Sequence, residues 1–143
     1  MSPRAEPRPL RVLIVDDHPS YPELLLRYFQ FQDWIEVVGC AVNGRDGVAL
    51  ASATNPDVVL MDINMPLLDG VEATRRILQR RRATVLVLTA SAEPAEHERA
   101  LAAGARAVLD KAIEPMDLVA CLQEAYLEYL ASSGDPDGIL TTT

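Results

Sequence analysis

The chain has 143 residues, an apolar share of 49%, an aromatic share of only 5% and a formal net charge of −8. That length is one ordinary domain, its core must be built from Val, Leu, Ile and Ala, and no run of 18 or more apolar residues offers a membrane span. The negative balance argues against a general nucleic-acid surface, which needs clustered Lys and Arg; the one basic cluster, Arg75, Arg76, Arg80, Arg81 and Arg82, reads as a solvated helix face and its exit.

Residues 1–9 are polar and Pro-rich and lack the apolar middle of a secretory leader. The first β-rich run, residues 11–15, stops at Asp16 and Asp17, and a helix over 23–32 is expected behind Pro22. Residues 35–41 read as a second strand. Asn43-Gly44 turns the chain into a helix over 45–54, with Val48, Ala49 and Leu50 as its apolar candidates, and Asn55-Pro56 breaks it. A third strand over 58–61 runs into Asp62. A helix over 71–81 follows, with Asp69 as its cap. A fourth strand over 84–88 ends at Thr89, and a helix over 93–103 closes at Gly104. That helix is rich in Ala, and Leu101 is its clearest anchor. A short fifth strand over 107–109 stops before Lys111, and Pro115 opens a last helix to about residue 131. On this helix Leu118, Leu122, Ala125 and Tyr129 form a core stripe, while Ala120, Leu127 and Ala131 lie opposite.

Five β units therefore alternate with five α units. The strands are continuous apolar runs without period-two alternation, which suits a parallel sheet covered on both faces. The expected fold is α/β, a flavodoxin-like doubly wound (βα)5 domain with a five-stranded parallel sheet in order 2-1-3-4-5. Its bounds are 10–131, with a flexible segment at 1–9 and a tail or linker at 132–143. Cys40 and Cys121 sit in apolar stretches and are expected as buried free thiols of a reducing cytosol.

In open parallel sheets, sites form at the carboxyl ends of the strands. Here those ends carry Asp16, Asp17, Asp62, Thr89 and Lys111. A strand-end Asp alone is usually a cap or turn former; the same polar types on successive strands are another matter. Three close carboxylates repel one another unless a cation sits among them. An oxygen-only donor set suits Mg²⁺ (or Mn²⁺), held by Asp17 and Asp62 with Asp16 acting partly through water. Thr89 could then hydrogen-bond a phosphoryl oxygen. Of thirteen basic residues twelve are Arg, so the single Lys111 marks a place where a compact, mobile ammonium serves and a planar fork does not.

The chain resembles response regulator receiver domains from about residue 10 to 131. The matching motifs are Val-Leu-Ile-Val-Asp16-Asp17-His18-Pro19, Pro56-Asp-Val-Val-Leu-Met-Asp62-Ile-Asn-Met-Pro66, Asp69-Gly70, Leu88-Thr89-Ala90 and Asp110-Lys111-Ala112. The spacings of 45, 27 and 22 residues between Asp17, Asp62, Thr89 and Lys111 match as well. The start and the Lys-Ala step look most like the NarL-type subfamily. The resemblance implies that Asp62 accepts phosphate from a sensor histidine kinase or phosphotransfer protein. It implies a metal held by Asp16, Asp17, Asp62 and the backbone carbonyl of Asn64, with Thr89 and Lys111 reading the phosphoryl group. Pro66 and Gly70 would shape the turn after Asp62, Asn64 and Ser91 would tune the lifetime, and His18 is expected to be structural. It further implies a cytoplasmic switch that is not an enzyme beyond its own phosphorylation and dephosphorylation. No nucleic acid or membrane is expected on this domain, and a homodimer or output-domain contact could use the last helix.

Two positions depart from the family pattern. Val108 stands where an aromatic residue usually rotates on activation, and Ala112 follows the Lys where many members have Pro, so a trans bond is expected. Coupling is then expected to run through the 89–91 loop and the following helix. The alternatives are a stand-alone docking module, a truncated DNA-binding regulator, and a haloacid-dehalogenase-type phosphatase. The last expects a second Asp where Asn64 stands.

Overall fold

The computed structural model describes residues 8–133. Ten elements follow in strict alternation: β1 (Leu10–Val15), α1 (Ser20–Phe29), β2 (Ile35–Ala41), α2 (Gly44–Thr54), β3 (Val58–Asp62), α3 (Gly70–Arg80), β4 (Thr84–Thr89), α4 (Pro94–Ala102), β5 (Ala107–Asp110) and α5 (Pro115–Ser133). The strands are all parallel and lie in the order β2-β1-β3-β4-β5, the expected doubly wound sheet. The expected end segments, 1–9 and 132–143, fall mostly outside the described residues.

Both faces of the sheet are covered, which is why period-two alternation is invisible in the sequence. On one face Leu13, Val15, Val59, Met61, Val85 and Val87 meet Ala51 of α2, Ala73 and Ile77 of α3 and Ala100 of α4. On the other, Val12, Ile14, Leu60, Leu86 and Leu88 meet Leu25 and Phe29 of α1 and Leu118, Leu122 and Ala125 of α5. Neighbours in a strand thus bury against different helices, at roughly 1.5–3 kcal/mol per fully buried large aliphatic side chain. As expected, Tyr129 packs with the α5 stripe, while Ala120, Leu127 and Ala131 are exposed.

Several expectations need correction. α1 begins at Ser20, and Pro22 is its third residue; first-turn N–H groups have no intrahelical acceptor, so a proline there costs no bond. In α2 Val48 and Leu50 pack partly buried against the core as expected, but the buried residues are Gly44, Gly47 and Ala51, and Ala49 is exposed. Cys40 is exposed and Cys121 half-buried, both free; β2 is an edge strand whose residues are mostly only partly covered. On α4 the anchor is Ala100, fully buried, whereas Leu101 is 49% exposed. A helix that docks through a methyl group sits close to the sheet with little apolar area to hold it.

The caps behave as the residue types dictate. Asn43 accepts from the Asp46 amide at 2.8 Å and Asp69 from that of Glu72 at 2.9 Å. Asn55 closes α2 with φ 52°, the left-handed conformation asparagine tolerates. No helix among the described residues is long and apolar enough to cross a membrane.

Candidate functional site

Parallel pairing aligns the carboxyl ends of β1, β3, β4 and β5. Asp62 ends β3 opposite Leu88, and Thr89 ends β4 opposite Asp110, one step before Lys111. Asp16 and Asp17 follow β1 directly, and the Asp16 amide donates to Ala41 O at 2.9 Å. The Lys111 amide donates to Thr89 O at 2.9 Å and ties the two loops together. Gly70 is obligatory behind the site, because a Cβ there would stand 1.9 Å from the carbonyl oxygen of Asp62. Its amide donates to Ile63 O at 2.8 Å, folding the β3–α3 loop back. Within that loop Leu67 adopts φ 71°, and the Leu68 amide reaches Pro66 O at 2.8 Å, a strained γ-turn that leaves Leu67 exposed.

The polar side chains converge. Lys111 Nζ lies 2.7 Å from Asp16 Oδ2 and 3.6 Å from Asp62 Oδ2. Its stem is sheltered and its ammonium sits 5.0 Å from the centre of the Tyr21 ring. Asp16 also accepts from the His18 amide at 2.8 Å. Asp62 is 4% exposed, and its Oδ2 is buried without a hydrogen-bond partner, as is Oδ1 of Asp17. Buried acceptors left unmatched are uncommon and costly.

Burial pushes the Asp62 carboxyl up from the ordinary range. Lys111 pulls it down, Asp16 pushes it up, the Asn64 amide donates to it and pulls it down, and Asp17 pushes it up; the net direction is upward. Tyr21 is pushed up to about 12, chiefly by burial and then by Asp16 and Asp110. Thr89 is 1% exposed, and its Oγ1 accepts from the Ser91 amide at 3.0 Å. That leaves its hydroxyl proton free to donate elsewhere.

The structure thus brings Asp16, Asp17, Asp62 and Lys111 together and sets Thr89 at the neighbouring strand end. His18 is the surprise. Its Nδ1 faces the site, 3.2 Å from Asp16 Oδ1, 3.1 Å from Asp17 Oδ1 and 3.9 Å from Asp62 Oδ2. One donor atom each from Asp16, Asp17, His18 and Asp62 fall within 4.8 Å of one another. The donor set fits a divalent cation: three carboxylates converge, and two of their buried oxygens have no hydrogen-bond partner. Sequence reasoning also missed Tyr21 under the ammonium and His97, whose Nε2 lies 2.8 Å from Ser91 O. His18 was discoverable from its place beside two acids; His97, six residues from Ser91, carried no local sign.

A family profile described as response regulator receiver domain matches residues 12–123. The chain is 37% identical over 133 residues to the transcriptional regulatory protein YhcZ of Bacillus subtilis, covering 92% of this chain and 62% of that protein. It is 33% identical over 118 residues to the nitrate/nitrite response regulator NarL of Escherichia coli, covering 82% of this chain and 55% of that protein. The chain therefore spans less than two thirds of the length of these relatives. The receiver domain of a NarL response regulator from Mycobacterium tuberculosis superposes with a TM-score of 0.79 at 34% identity, over 84% of this chain and 98% of that one.

Proposed function

The chain belongs to the response regulator receiver family, and from that premise we propose that Asp62 is its phosphoacceptor. The observation that carries the reading is the buried, unpartnered Oδ2 of Asp62 among two further carboxylates and one ammonium. Asp62 attacks the phosphorus of a phosphohistidine on a sensor kinase or phosphotransfer protein. The new O–P bond forms as the P–N bond breaks, and the imidazole leaves with the bonding pair. Asp62 must be ionised to attack, and Lys111 and the Asn64 amide oppose the burial that would keep it protonated.

Asp16, Asp17 and Asp62, with the carbonyl of Asn64, would hold Mg²⁺ or a similar ion. Such an ion, when bound, supplies charge neutralisation for the phosphoryl oxygens. Lys111 stabilises another of those oxygens, and its short bond to Asp16 holds it in place meanwhile. Thr89 donates its hydroxyl proton to a third, and its link to the Ser91 amide carries the change into the β4–α4 loop. Asn64 and Ser91 tune the lifetime of the phosphoryl group.

The receiver unit is residues 10–131, in the cytoplasm, with no turnover of other substrates. Output passes to a further domain or a partner protein, and the relatives make a transcriptional output the favoured one. The exposed α5 residues Ala120, Leu127 and Ala131 are the proposed contact for a second copy or an output domain. Purified chain with Mg²⁺ and a small phosphodonor gains one phosphoryl group, stable to acid and labile to base and hydroxylamine. Asp62→Ala gains none; full labelling of that variant overturns the reading.

A further inference from the structure

His18, expected to be structural, has its ring directed at the acidic site. It follows the two acids directly, its side chain is 64% exposed, and yet Nδ1 is turned into the acidic site. Besides the carboxylate oxygens at 3.1, 3.2 and 3.9 Å, this nitrogen has Lys111 Nζ at 3.4 Å. One nitrogen cannot suit all of these neighbours. If Nδ1 carries the proton it can serve a single carboxylate, and its N–H then points near an ammonium. If it carries the lone pair it can accept from Lys111, but it faces three carboxylate oxygens, lone pair against lone pair. A divalent cation among these atoms satisfies the carboxylates and the lone pair together.

The spacing agrees with that arrangement. In an octahedral shell with bonds of about 2.1 Å, neighbouring donor atoms stand roughly 3 Å apart and opposite ones roughly 4.2 Å. Nδ1 lies at the neighbour distance from Asp16 Oδ1 and Asp17 Oδ1 and near the opposite distance from Asp62 Oδ2. The second sign of a ligand is independent of His18: Oδ2 of Asp62, in a residue 4% exposed, has no hydrogen-bond partner.

We propose that His18 adds a nitrogen donor to the acidic site through Nδ1, so that the site prefers a transition-metal ion such as Mn²⁺, Co²⁺ or Zn²⁺ over Mg²⁺. This rests on the reading of Asp16, Asp17 and Asp62 as cation ligands and sharpens which cation they hold. Mg²⁺ is bound by oxygen donors and water, and an imidazole in its shell gains little. Imidazole suits the later divalent ions, whose affinities also rise along the first transition row. The exposed flank of the ring lets it move away for Mg²⁺ without disturbing the core.

The test uses the whole chain, Mn²⁺, Co²⁺ and Mg²⁺ as probes, and a single mildly alkaline pH. Pulsed electron paramagnetic resonance of the Mn²⁺-loaded chain shows ¹⁴N coupling that disappears in His18→Asn. Calorimetric titration shows the same substitution weakening Co²⁺ about tenfold or more while Mg²⁺ changes less than about twofold. Asp17→Asn weakens all three. Binding of Mn²⁺ without nitrogen coupling, or equal losses for Co²⁺ and Mg²⁺ in His18→Asn, overturns the role of His18 and leaves the acidic site intact. Failure of the unaltered chain to bind any of the three ions overturns the acidic-site reading beneath it. Retained coupling in His18→Asn also overturns the proposal and assigns the nitrogen to another residue.

Discussion

The two edges of the sheet handle their charges in opposite ways. At the amino edge Asp57 accepts from both Arg8 nitrogens at 2.8 and 3.0 Å and from the Arg11 amide at 2.9 Å. The Arg8 guanidinium also lies 4.7 Å from the centre of the Tyr129 ring, and Trp34, Tyr126 and Tyr129 stack in a row beside it. The half-buried acid there is matched by three donors. At the carboxyl edge three acids share one lysine and one histidine, and two buried oxygens go unmatched. The same fold thus closes one rim with complementary pairs and leaves the other under repulsion. On the function proposed above, the difference marks where stability is given up for binding: an added cation and an added phosphoryl group would complete the carboxyl rim.

The contrast can be broken by neutralising one acid at each rim and melting the variants without metal at neutral pH. Asp57→Ala removes three hydrogen bonds and strands the Arg11 amide, so stability falls by about 2 kcal/mol, roughly 6 °C in Tm. Asp62→Asn relieves repulsion and desolvation, so stability rises by about 1 kcal/mol, roughly 3 °C. Two variants moving in the same direction would end the comparison. The sign follows from proton binding. The folded carboxyl of Asp62 titrates above its unfolded value, so the folded state holds that proton more tightly. Its contribution to stability therefore falls as pH rises from the ordinary carboxylate range through the folded pKa, and the full penalty stands above it. Asp62→Asn flattens that segment of the stability curve, and saturating Mg²⁺ narrows its advantage over the unaltered chain.

A smaller effect sharpens the contrast inside the carboxyl rim. Val108 offers no ring to rotate and little χ1 freedom. The Thr89 hydroxyl is linked to the Ser91 amide, and the Ser91 carbonyl to His97 on α4. His97→Ala removes one bond worth about 1 kcal/mol, so amide exchange over 91–97 quickens roughly fivefold with little change in global Tm. A beryllofluoride mimic at Asp62 alters protection from Thr89 to Gly104. A change confined to the residues beside Asp62 would show that this route carries nothing.

How much of this could be read from the sequence depended on whether a residue's role is set by its neighbours in the chain. Strand ends were legible because apolar runs stop abruptly at Asp16, Asp62, Thr89 and Lys111, and a parallel sheet must then gather those ends. The cap at Asp69 was legible because the capping bond spans three residues, whereas Asn43 was read only as part of a turn. The start of α1 was not, because Pro22 is equally at home in the first or third position of a helix. The anchor of α4 was not, because choosing Ala100 over Leu101 depends on how near the helix lies to the sheet. The nearness of His18 to Asp16 and Asp17 was open to a sequence reading, but its approach to Asp62 and Lys111, distant in sequence, was not. Cys40 was misjudged because apolar neighbours do not reveal that β2 lies at an edge.

The site of modification tests the phosphoacceptor reading most directly. Phosphorylated chain, reduced with borohydride and digested, can be mapped residue by residue by mass spectrometry, since an acyl phosphate on Asp is converted to homoserine. The predicted result is homoserine at position 62 and unmodified acids at 16 and 17. Conversion at Asp16 or Asp17, or a hydroxylamine-stable label with no homoserine anywhere, would contradict it.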